Sequence, residues 1–305
     1  MQLSESVRFL RGRFESTIFT KNCIMIIVKD PVELNNALSE LREYSRSTGF
    51  VPTMGALHAG HLSLIKHARN ENPICVVSVF VNPTQFNDSE DLKKYPRTPE
   101  KDLEMIEREG VDVVFMPDAE DIYPDNDRNT FDLGGLDNIM EGKFRPGHFD
   151  GVADVVYRLF NMVKPDRAYF GEKDYQQLMI IRQMVKSENL DVDIVGVPIV
   201  READGLAMSS RNQRLSENGR QQAATIYKIL RQASETFPDL SPDELKAEIV
   251  QRINTTELLN SEYVEIVDEE KMQIVDDWNQ GSVFRLCLAV WCDNVRLIDN
   301  ISLVK

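Results

Sequence analysis

The stretch that decides the fold covers residues 51–64 and reads Val51-Pro52-Thr53-Met54-Gly55-Ala56-Leu57-His58-Ala59-Gly60-His61-Leu62-Ser63-Leu64. Its pattern predicts a strand, a tight turn at Gly55 and then a helix, because apolar residues recur at helical spacing from Leu62 onward. His58 and His61 are three residues apart, so one helical turn places both rings on the same face. Gly60 between them has no side chain, which lets a flat ligand approach the backbone.

Two imidazoles beside a glycine at a helix N-terminus suit a polyphosphate, since the free N–H groups and the helix dipole attract the anion and the rings donate hydrogen bonds. The alternative is a pair of surface histidines near a helix cap, because short motifs also occur by accident. A zinc pair is the weaker alternative: the usual helical pair is spaced four residues apart with a glutamate between.

Length and charge restrict the class of protein. The chain has 305 residues, 42% of them hydrophobic and 28% charged, which is typical of a globular protein of one large or two smaller domains. The formal net charge of -15 argues against a nucleic-acid partner, where a basic surface is expected. No apolar run reaches membrane-spanning length, so no membrane partner is predicted.

The four cysteines and the N-terminal residues bear on the expected cellular location of the protein. Cys75 and Cys287 lie in apolar, strand-like runs, which predicts buried thiols. Nothing suggests a disulfide framework, so we expect a reducing, cytoplasmic location. Residues 1–24 lack the apolar core of a signal peptide, and Glu5 and Glu15 argue against a transit peptide. We interpret them as a disordered extension or the result of a start codon assigned too early.

The rest of the first two thirds alternates strands and helices. The run at 74–81 is nearly all apolar, as in a strand buried on both faces of a parallel sheet. Asn82 and Gln85 follow it, at the strand end where α/β sheets bind ligands, although Asn-Pro is also a turn dipeptide. The segments 47–49 and 118–127 are interpreted as a break and an irregular acidic stretch. The alternation predicts an α/β fold with a Rossmann-like, doubly wound parallel sheet.

The pattern changes beyond Pro198. A polar loop at 201–214 is followed by predicted helices at 216–236 and 241–254 and by strands at 263–267, 283–292 and 295–303. Two helices and three strands indicate a small α+β domain. We therefore predict an extension at 1–24, a Rossmann-like domain at 25–199 and a C-terminal α+β lid domain at 200–305.

Four separated segments carry polar and charged side chains at the ends of predicted strands and helices. They are 52–61, 82–87, 171–177 and 208–212. His58-Ala-Gly-His61 followed by Met208-Ser-Ser-Arg211 resembles the paired signatures of the adenylate-forming nucleotidylyltransferase superfamily. The longer runs 52–58, 80–86, 171–177 and 201–212 resemble the pantoate–β-alanine ligase family, in order and spacing, over residues 25–305. Two departures are the N-terminal extension and Ala59, where the family often has an acidic residue.

This resemblance implies two half-reactions. The carboxylate of (R)-pantoate attacks the α-phosphorus of ATP to give pantoyl adenylate and pyrophosphate, and the amine of β-alanine then displaces AMP to give pantothenate. It also implies Mg²⁺ brought by ATP, with Asp102 as a candidate ligand or water contact, and a homodimer formed through the first domain. The stretch at 141–149 resembles a flexible segment near the dimer contact and the amine site.

The resemblance assigns roles to individual residues. His61, the candidate proton donor, His58, Lys173 and Arg211 would be catalytic, and Gln85, Gln177 and Asn82 would bind substrate. The ATP site would be formed by Met54, Gly55, Ala56, Leu57, His58, Ala59, Gly60, His61, Gly171, Glu172, Lys173, Asp174, Val200, Met208, Ser209, Ser210 and Arg211.

Three other classes compete with this interpretation. Another ATP- or CTP-using nucleotidylyltransferase shares the histidine motif but does not need the two glutamines or the loop at 201–212. A tRNA-binding relative of the aminoacyl-tRNA synthetases is disfavoured by the charge of -15 and by the absence of an appended basic domain. A catalytically dead binding protein is not supported, because the histidines, Lys173, Ser209, Ser210 and Arg211 are all present.

Overall fold

The computed structural model describes residues 25–45, 47–87, 89–124 and 127–305. The predicted extension at 1–24 lies outside the described residues.

A six-stranded parallel sheet forms the first part of the structure, in the strand order β1-β4-β3-β2-β5-β6. Its strands are β1 (Ile26–Val28), β2 (Thr48–Thr53), β3 (Ile74–Val79), β4 (Val113–Phe115), β5 (Arg167–Gly171) and β6 (Asp193–Val197). From β2 the chain builds β3 and β4 on one side, then returns to add β5 and β6 on the other. The direction therefore reverses between β2 and β5, and in open α/β sheets ligands bind at the carboxyl ends of the strands at such a point.

Helices cover both faces of this sheet. They are α1 (Pro31–Arg42), α2 (Ala59–Glu71), α3 (Ser89–Lys94), α4 (Pro99–Arg108), α5 (Ala119–Ile122), α6 (Met140–Phe144), α7 (His148–Val163) and α8 (Tyr175–Ser187). Side chains alternate along each strand, so Phe50 joins the core formed with α1, α7 and α8, while Val51 joins the core formed with α2 and α4. Burial on both faces explains the nearly continuous apolar runs of the sequence.

The second part packs helices on a three-stranded antiparallel sheet. Its elements are α9 (Glu217–Ala223), α10 (Thr225–Thr236), α11 (Pro242–Asn254), β7 (Leu259–Asp268), β8 (Val283–Cys292) and β9 (Val295–Val304), with β8 in the middle of the sheet. A separate apolar core lies between these helices and strands. The structure thus confirms the predicted fold class, a Rossmann-like parallel sheet followed by a smaller α+β unit. The exact domain boundary at 199/200 stays a prediction.

Three local predictions were wrong. The segment 47–49 is not a break, because β2 already begins at Thr48; Gly49 lies in the strand where an added Cβ would be 2.5 Å from the Asn72 side chain. The acidic stretch contains α5, and the single helix predicted at 216–236 is two helices that meet at Ala224. The predicted burial of the Cys75 and Cys287 thiols is confirmed.

Candidate active site

The two histidines of the opening stretch lie at the first turn of α2. His58 is the N-cap residue, and its Nδ1 accepts a hydrogen bond from the backbone N–H of Gly60 at 3.1 Å. His61 reaches back, and its Nδ1 accepts from the backbone N–H of His58 at 3.3 Å. Because both Nδ1 atoms accept, each neutral ring carries its proton on Nε2. The two rings, 4.1 Å apart between centroids, therefore present N–H donors beside a helix N-terminus.

Both imidazoles are held in the neutral form. Burial, followed by the nearby charge of Lys173, lowers the pKa of His58 to about 4. Burial, followed by the charges of His58 and Lys173, lowers the pKa of His61 to about 3. At neutral pH these rings donate hydrogen bonds without bearing a charge of their own.

Gly60 keeps the space beside the His58 ring open. A Cβ at this position would lie 2.9 Å from Cε1 and Nδ1 of His58, closer than carbon side chains approach one another. Glycine is therefore required for the orientation of the ring, as well as for access to the backbone.

Asp102 fixes the turn that precedes the histidines. The buried carboxylate accepts hydrogen bonds from the backbone N–H groups of Ala56 at 2.9 Å and Leu57 at 2.8 Å, and from the Thr98 hydroxyl at 3.2 Å. The turn has left-handed backbone at Gly55, with φ of 78°, and at Ala56, with φ of 50°. Asp102 therefore stabilises a strained turn, and this arrangement favours a structural role over the metal ligand that was predicted.

The segment after β3 supplies the second side of the site. Gln85 donates from Nε2 to the sulfur of Met54 at 3.1 Å and accepts at Oε1 from Asn82 at 3.1 Å. The buried Asn82 also donates to the carbonyl of Gly151 and accepts from the Tyr123 hydroxyl at 2.8 Å. With all its polar atoms engaged inside the protein, Asn82 holds Gln85 in place rather than offering a free contact to a substrate.

The turn after β5 carries the cation Lys173. This turn is a short 3₁₀ segment, Glu172–Asp174, and α8 follows it directly. The side chain of Lys173 is 18% exposed, and its Nζ lies 3.7 Å from the carboxylate of Asp174. Since β5 neighbours β2 in the sheet, this ammonium group lies at the same strand edge as the two histidines.

A third segment approaches from the loop at 201–214. Ser209 caps a 3₁₀ turn, Ser210–Arg214, and accepts at its hydroxyl from the backbone N–H of Arg211 at 3.3 Å. Arg211 and Arg214 both bond the carboxylate of Asp91 in α3, at 2.9 and 2.8 Å. These ion pairs connect the loop to the Rossmann-like part and lie beside the adjoining cavity that Asp91, Arg211 and Arg214 line.

One cavity of about 220 Å³ joins these segments at the carboxyl ends of β2, β3 and β5. Most of the predicted site residues line it: Met54, His58, Gly60, His61, Asn82, Gln85, Gly171, Lys173, Asp174, Gln177, Val200, Met208, Ser209, Ser210 and Arg211. The predicted residues Gly55, Ala56, Leu57, Ala59 and Glu172 do not line it. Lys173 also lines two adjoining cavities, of about 30 and 310 Å³.

The sequence reasoning missed the apolar wall of this cavity. Val152, Val155, Val156 and Leu159 on α7 line it, together with Tyr95. The helical spacing of these α7 residues predicted a core face, and that face is buried. Nothing in the spacing distinguishes a wall packed on protein from one that borders a ligand, so the sequence contained no signal for this role.

The described residues contain no group of three or more histidine, cysteine or acidic side chains able to hold a metal ion. In the same part of the chain, no helix has the length and apolar character needed to cross a membrane.

Comparison with known proteins identifies relatives over nearly the whole chain. The family model described as pantoate-beta-alanine ligase matches residues 26–302. Pantothenate synthetases from Porphyromonas gingivalis and Bacteroides fragilis are each 50% identical over 278 residues, covering 91% of this chain and 99% of theirs.

Solved structures agree in fold. A pantothenate synthetase from Thermus thermophilus superposes with a TM-score of 0.86 at 43% identity, over 92% of this chain and all of that one. The pantoate-beta-alanine ligase from Francisella tularensis superposes with a TM-score of 0.77 at 40% identity, over 91% of this chain and 97% of that one. The latter structure is a complex with "Beta-gamma ATP" and β-alanine.

Proposed function

The chain belongs to the pantoate–β-alanine ligase family. We propose that it joins pantoate to β-alanine through a pantoyl adenylate, releasing pyrophosphate in a first half-reaction and AMP in a second. ATP as the energy source is supported by the relative from Francisella tularensis, which is complexed with an ATP-type ligand and β-alanine. The observation that carries the proposal is the single cavity where histidine donors, two cations and two glutamines meet.

The triphosphate is proposed to lie between the N-terminus of α2 and the two cations. The Nε2–H groups of His58 and His61 donate to phosphate oxygens, and the dipole of α2 favours the anion at this end of the helix. Lys173 and Arg211 balance the charge that grows on the α-phosphate and on the departing pyrophosphate. Ser209, Ser210 and Val200 border the same space.

Pantoate is proposed to bind between the glutamines and α7. Its hydroxyl and carboxylate oxygens need polar partners, and Gln85 and Gln177 provide amides that line the cavity. Its two methyl groups need an apolar surface, and the wall of Val152, Val155 and Val156 provides one. This arrangement directs the carboxylate toward Lys173, where the α-phosphate is expected.

In the first half-reaction a carboxylate oxygen of pantoate forms a bond to the α-phosphorus, and the bond from that phosphorus to the β-phosphate oxygen breaks. The electron pair leaves with pyrophosphate. With a pKa of about 3, the His61 ring is neutral near pH 7. Because a neutral imidazole is a very weak acid, we assign His61 hydrogen-bond donation to the leaving phosphates rather than transfer of a proton.

In the second half-reaction the neutral amine of β-alanine attacks the acyl carbon, and AMP leaves with the electron pair of the acyl–oxygen bond. The amine loses its extra proton to solvent or buffer during this step. The acyl adenylate is sensitive to water, so the enclosing loop at 201–214, tied to Asp91 by two ion pairs, protects it.

A product assay tests the proposal. With ATP, pantoate and β-alanine, AMP and pyrophosphate should appear in equal amounts with pantothenate. Pantoate labelled with ¹⁸O in its carboxylate should pass one label to AMP, and pyrophosphate should exchange into ATP when pantoate is present without β-alanine. ADP as the nucleotide product, or AMP free of label, would contradict an adenylate.

The cytoplasmic location, the homodimer and the roles of the individual site residues stay predictions. The cytoplasmic location and the homodimer rest on cysteine usage and on the family resemblance, respectively. The role of each site residue rests on its place in the cavity together with that resemblance.

A further inference from the structure

The turn that carries Lys173 is held by a residue from the other sheet. Asn300 in β9 is 3% exposed, and its Nδ2 donates to the backbone carbonyls of Glu172 and Lys173, both at 2.9 Å. These two carbonyls belong to the 3₁₀ turn Glu172–Asp174. One side-chain amide therefore connects the rigid strand β9 to the backbone of the candidate catalytic lysine.

Asn300 is itself fixed in one orientation. Its Oδ1 accepts from Nη1 of the buried Arg285 at 3.2 Å, and that guanidinium is bonded to Glu269 at 2.6 Å and stacked 4.1 Å from the ring centroid of Tyr175. A flipped amide would direct its oxygen at two carbonyls and its NH₂ at a cation, so the network permits only this arrangement. Both hydrogens of the amide are consequently used on the Lys173 turn.

The preceding residue contacts the other cation-bearing segment. The buried Asp299 accepts two hydrogen bonds from Arg201, at 2.7 and 2.9 Å. Arg201 begins the loop that carries Ser209 and Arg211 and forms a β-bridge to Ala207 within it. Two consecutive residues of β9 thus contact the backbone under Lys173 and the base of the Arg211 loop.

We infer that Asn300 is a positioning residue for the ligation reaction: by binding the two carbonyls of the 172–173 backbone, it sets the direction from which the Lys173 ammonium meets the transferring phosphoryl group. The inference rests on the proposed role of Lys173. A lysine side chain has four flexible bonds, so its reach is restricted only if its backbone is fixed. Since small misplacements at a reacting centre are costly, the loss of this restraint should appear in the rate.

A double-mutant cycle tests the inference. Asn300→Ala should slow pantoate adenylation in single-turnover experiments by on the order of 10–10²-fold, with a smaller change in ATP affinity. In a Lys173→Ala background the same substitution should slow adenylation by less than about twofold, since no ammonium group remains to be positioned. Attack of β-alanine on supplied pantoyl adenylate should change little.

Two further variants separate positioning from general destabilisation. Asn72 is equally buried, and its Nδ2 donates to the Ala68 carbonyl and the Tyr169 hydroxyl, but it lies at the opposite end of the sheet; Asn72→Ala should lower the melting temperature and keep the adenylation rate. Asn300→Asp has the same size and keeps the acceptor for Arg285 but has no donors, so it should not rescue the rate. If Asn300→Ala fails to fold, Asn300→Asp enters the cycle in its place.

The outcomes are distinct. Equal fold-losses from the Asn300 substitution in both backgrounds, or a wild-type adenylation rate in Asn300→Asp, would overturn the positioning role. An unchanged rate in Lys173→Ala alone would contradict the role of Lys173 and with it the positioning role of Asn300, whereas the proposed ligation itself fails only on the nucleotide products and the ¹⁸O label.

Discussion

The ammonium group of Lys173 lies where the central cavity meets two adjoining ones. Charge on the phosphoryl group grows only during transfer, so this cation should stabilise the transition state more than bound ATP. We expect Lys173→Ala to slow adenylate formation by on the order of 10²–10³-fold, the scale of losing one preorganised charge partner. Single-turnover kinetics of each half-reaction measures this.

The matched control is Lys66→Ala, which removes an exposed lysine of α2 paired with Glu109 and should leave both half-reactions unchanged. His61→Ala should also slow the first half-reaction and leave the fold intact by circular dichroism. A Lys173→Ala enzyme slowed only in the second half-reaction, or an unfolded His61→Ala protein, would show that the corresponding role is wrong.

Gly60→Ala should affect the rate far more than the stability. Alanine is the better helix former by up to about 1 kcal/mol, but displacing the His58 cap costs about as much, so the free energy of unfolding should change by less than about 1 kcal/mol. Its Cβ, however, would lie 2.9 Å from the His58 ring and displace it, so adenylation should slow by on the order of 10-fold or more. Thermal melting and single-turnover kinetics on one preparation measure both; a fast enzyme would show that the ring orientation is unimportant.

At the scale of elements, the first turn of α2 gives the protein a pH-dependent stability. The pKa of His58 is about 4 and that of His61 about 3 in the folded protein, against about 6.5 when unfolded. Between these values the unfolded chain binds more protons, so stability must fall as the pH falls from 6.5 toward 4. Asparagine at position 58 keeps an N-cap acceptor but does not titrate, so His58→Asn should reduce the slope.

The measurement is the free energy of unfolding in urea at a series of pH values from 7 to 5. The wild-type curve should be steeper than that of His58→Asn by up to one bound proton per molecule. Parallel curves would show that His58 is protonated equally in both states.

Sequence reasoning predicted these elements unequally well. The pattern of residues 51–64 and the apolar runs correctly predicted β2, α2 and β3, because hydrophobic periodicity and turn residues are local properties of the sequence. The break predicted at 47–49 was wrong, since Gly49 lies in β2 where an added side chain would collide with the distant Asn72. The resemblance gave Asp102 as a possible metal ligand or water contact, and its hydrogen bonds with Ala56 and Leu57, 45 residues or more away, were not predicted. Distant hydrogen bonds of this kind leave no trace in a local pattern.

At the scale of the whole molecule, a cluster of charged side chains joins α6 of the first part to the strands β7 and β9 of the second. Arg296 in β9 bonds both oxygens of Glu141 at 2.7 Å and also bonds Glu262, while the Tyr263 hydroxyl donates to Glu141 at 2.9 Å. These partners hold the pKa of the Glu141 carboxyl below its usual value despite the opposing effect of burial. Arg296→Ala leaves this buried carboxylate with weaker partners, the Tyr263 hydroxyl and the Arg145 guanidinium 3.6 Å away, and should cost roughly 3 kcal/mol of stability.

Urea unfolding of Arg296→Ala measures the loss. Arg252→Ala, which removes a more exposed pair with Glu248, is the control and should cost less than about 1 kcal/mol. Equal losses in the two variants would show that the cluster stabilises the fold no more than an exposed ion pair does.

A shortened chain tests the role of the N-terminus in the whole protein. The family model begins at residue 26, and the first strand starts at Ile26. Residues 1–22 show no apolar periodicity, so a protein beginning at Met25 should keep its melting temperature and turnover. A large loss in either quantity, measured beside the full chain, would contradict this expectation.

The ion pairs of Asp91 have a consequence for product release. The guanidinium of Arg211 already has an anionic partner within the protein, the carboxylate of Asp91 2.9 Å away. Where Arg211 meets phosphate, as proposed, binding is therefore an exchange of one anion for another, and its net free energy is only the difference between the two. The resident carboxylate competes for the same cation throughout the cycle. Under the proposed mechanism, this competition favours the release of a product as highly charged as pyrophosphate and so prepares the site for the next turnover.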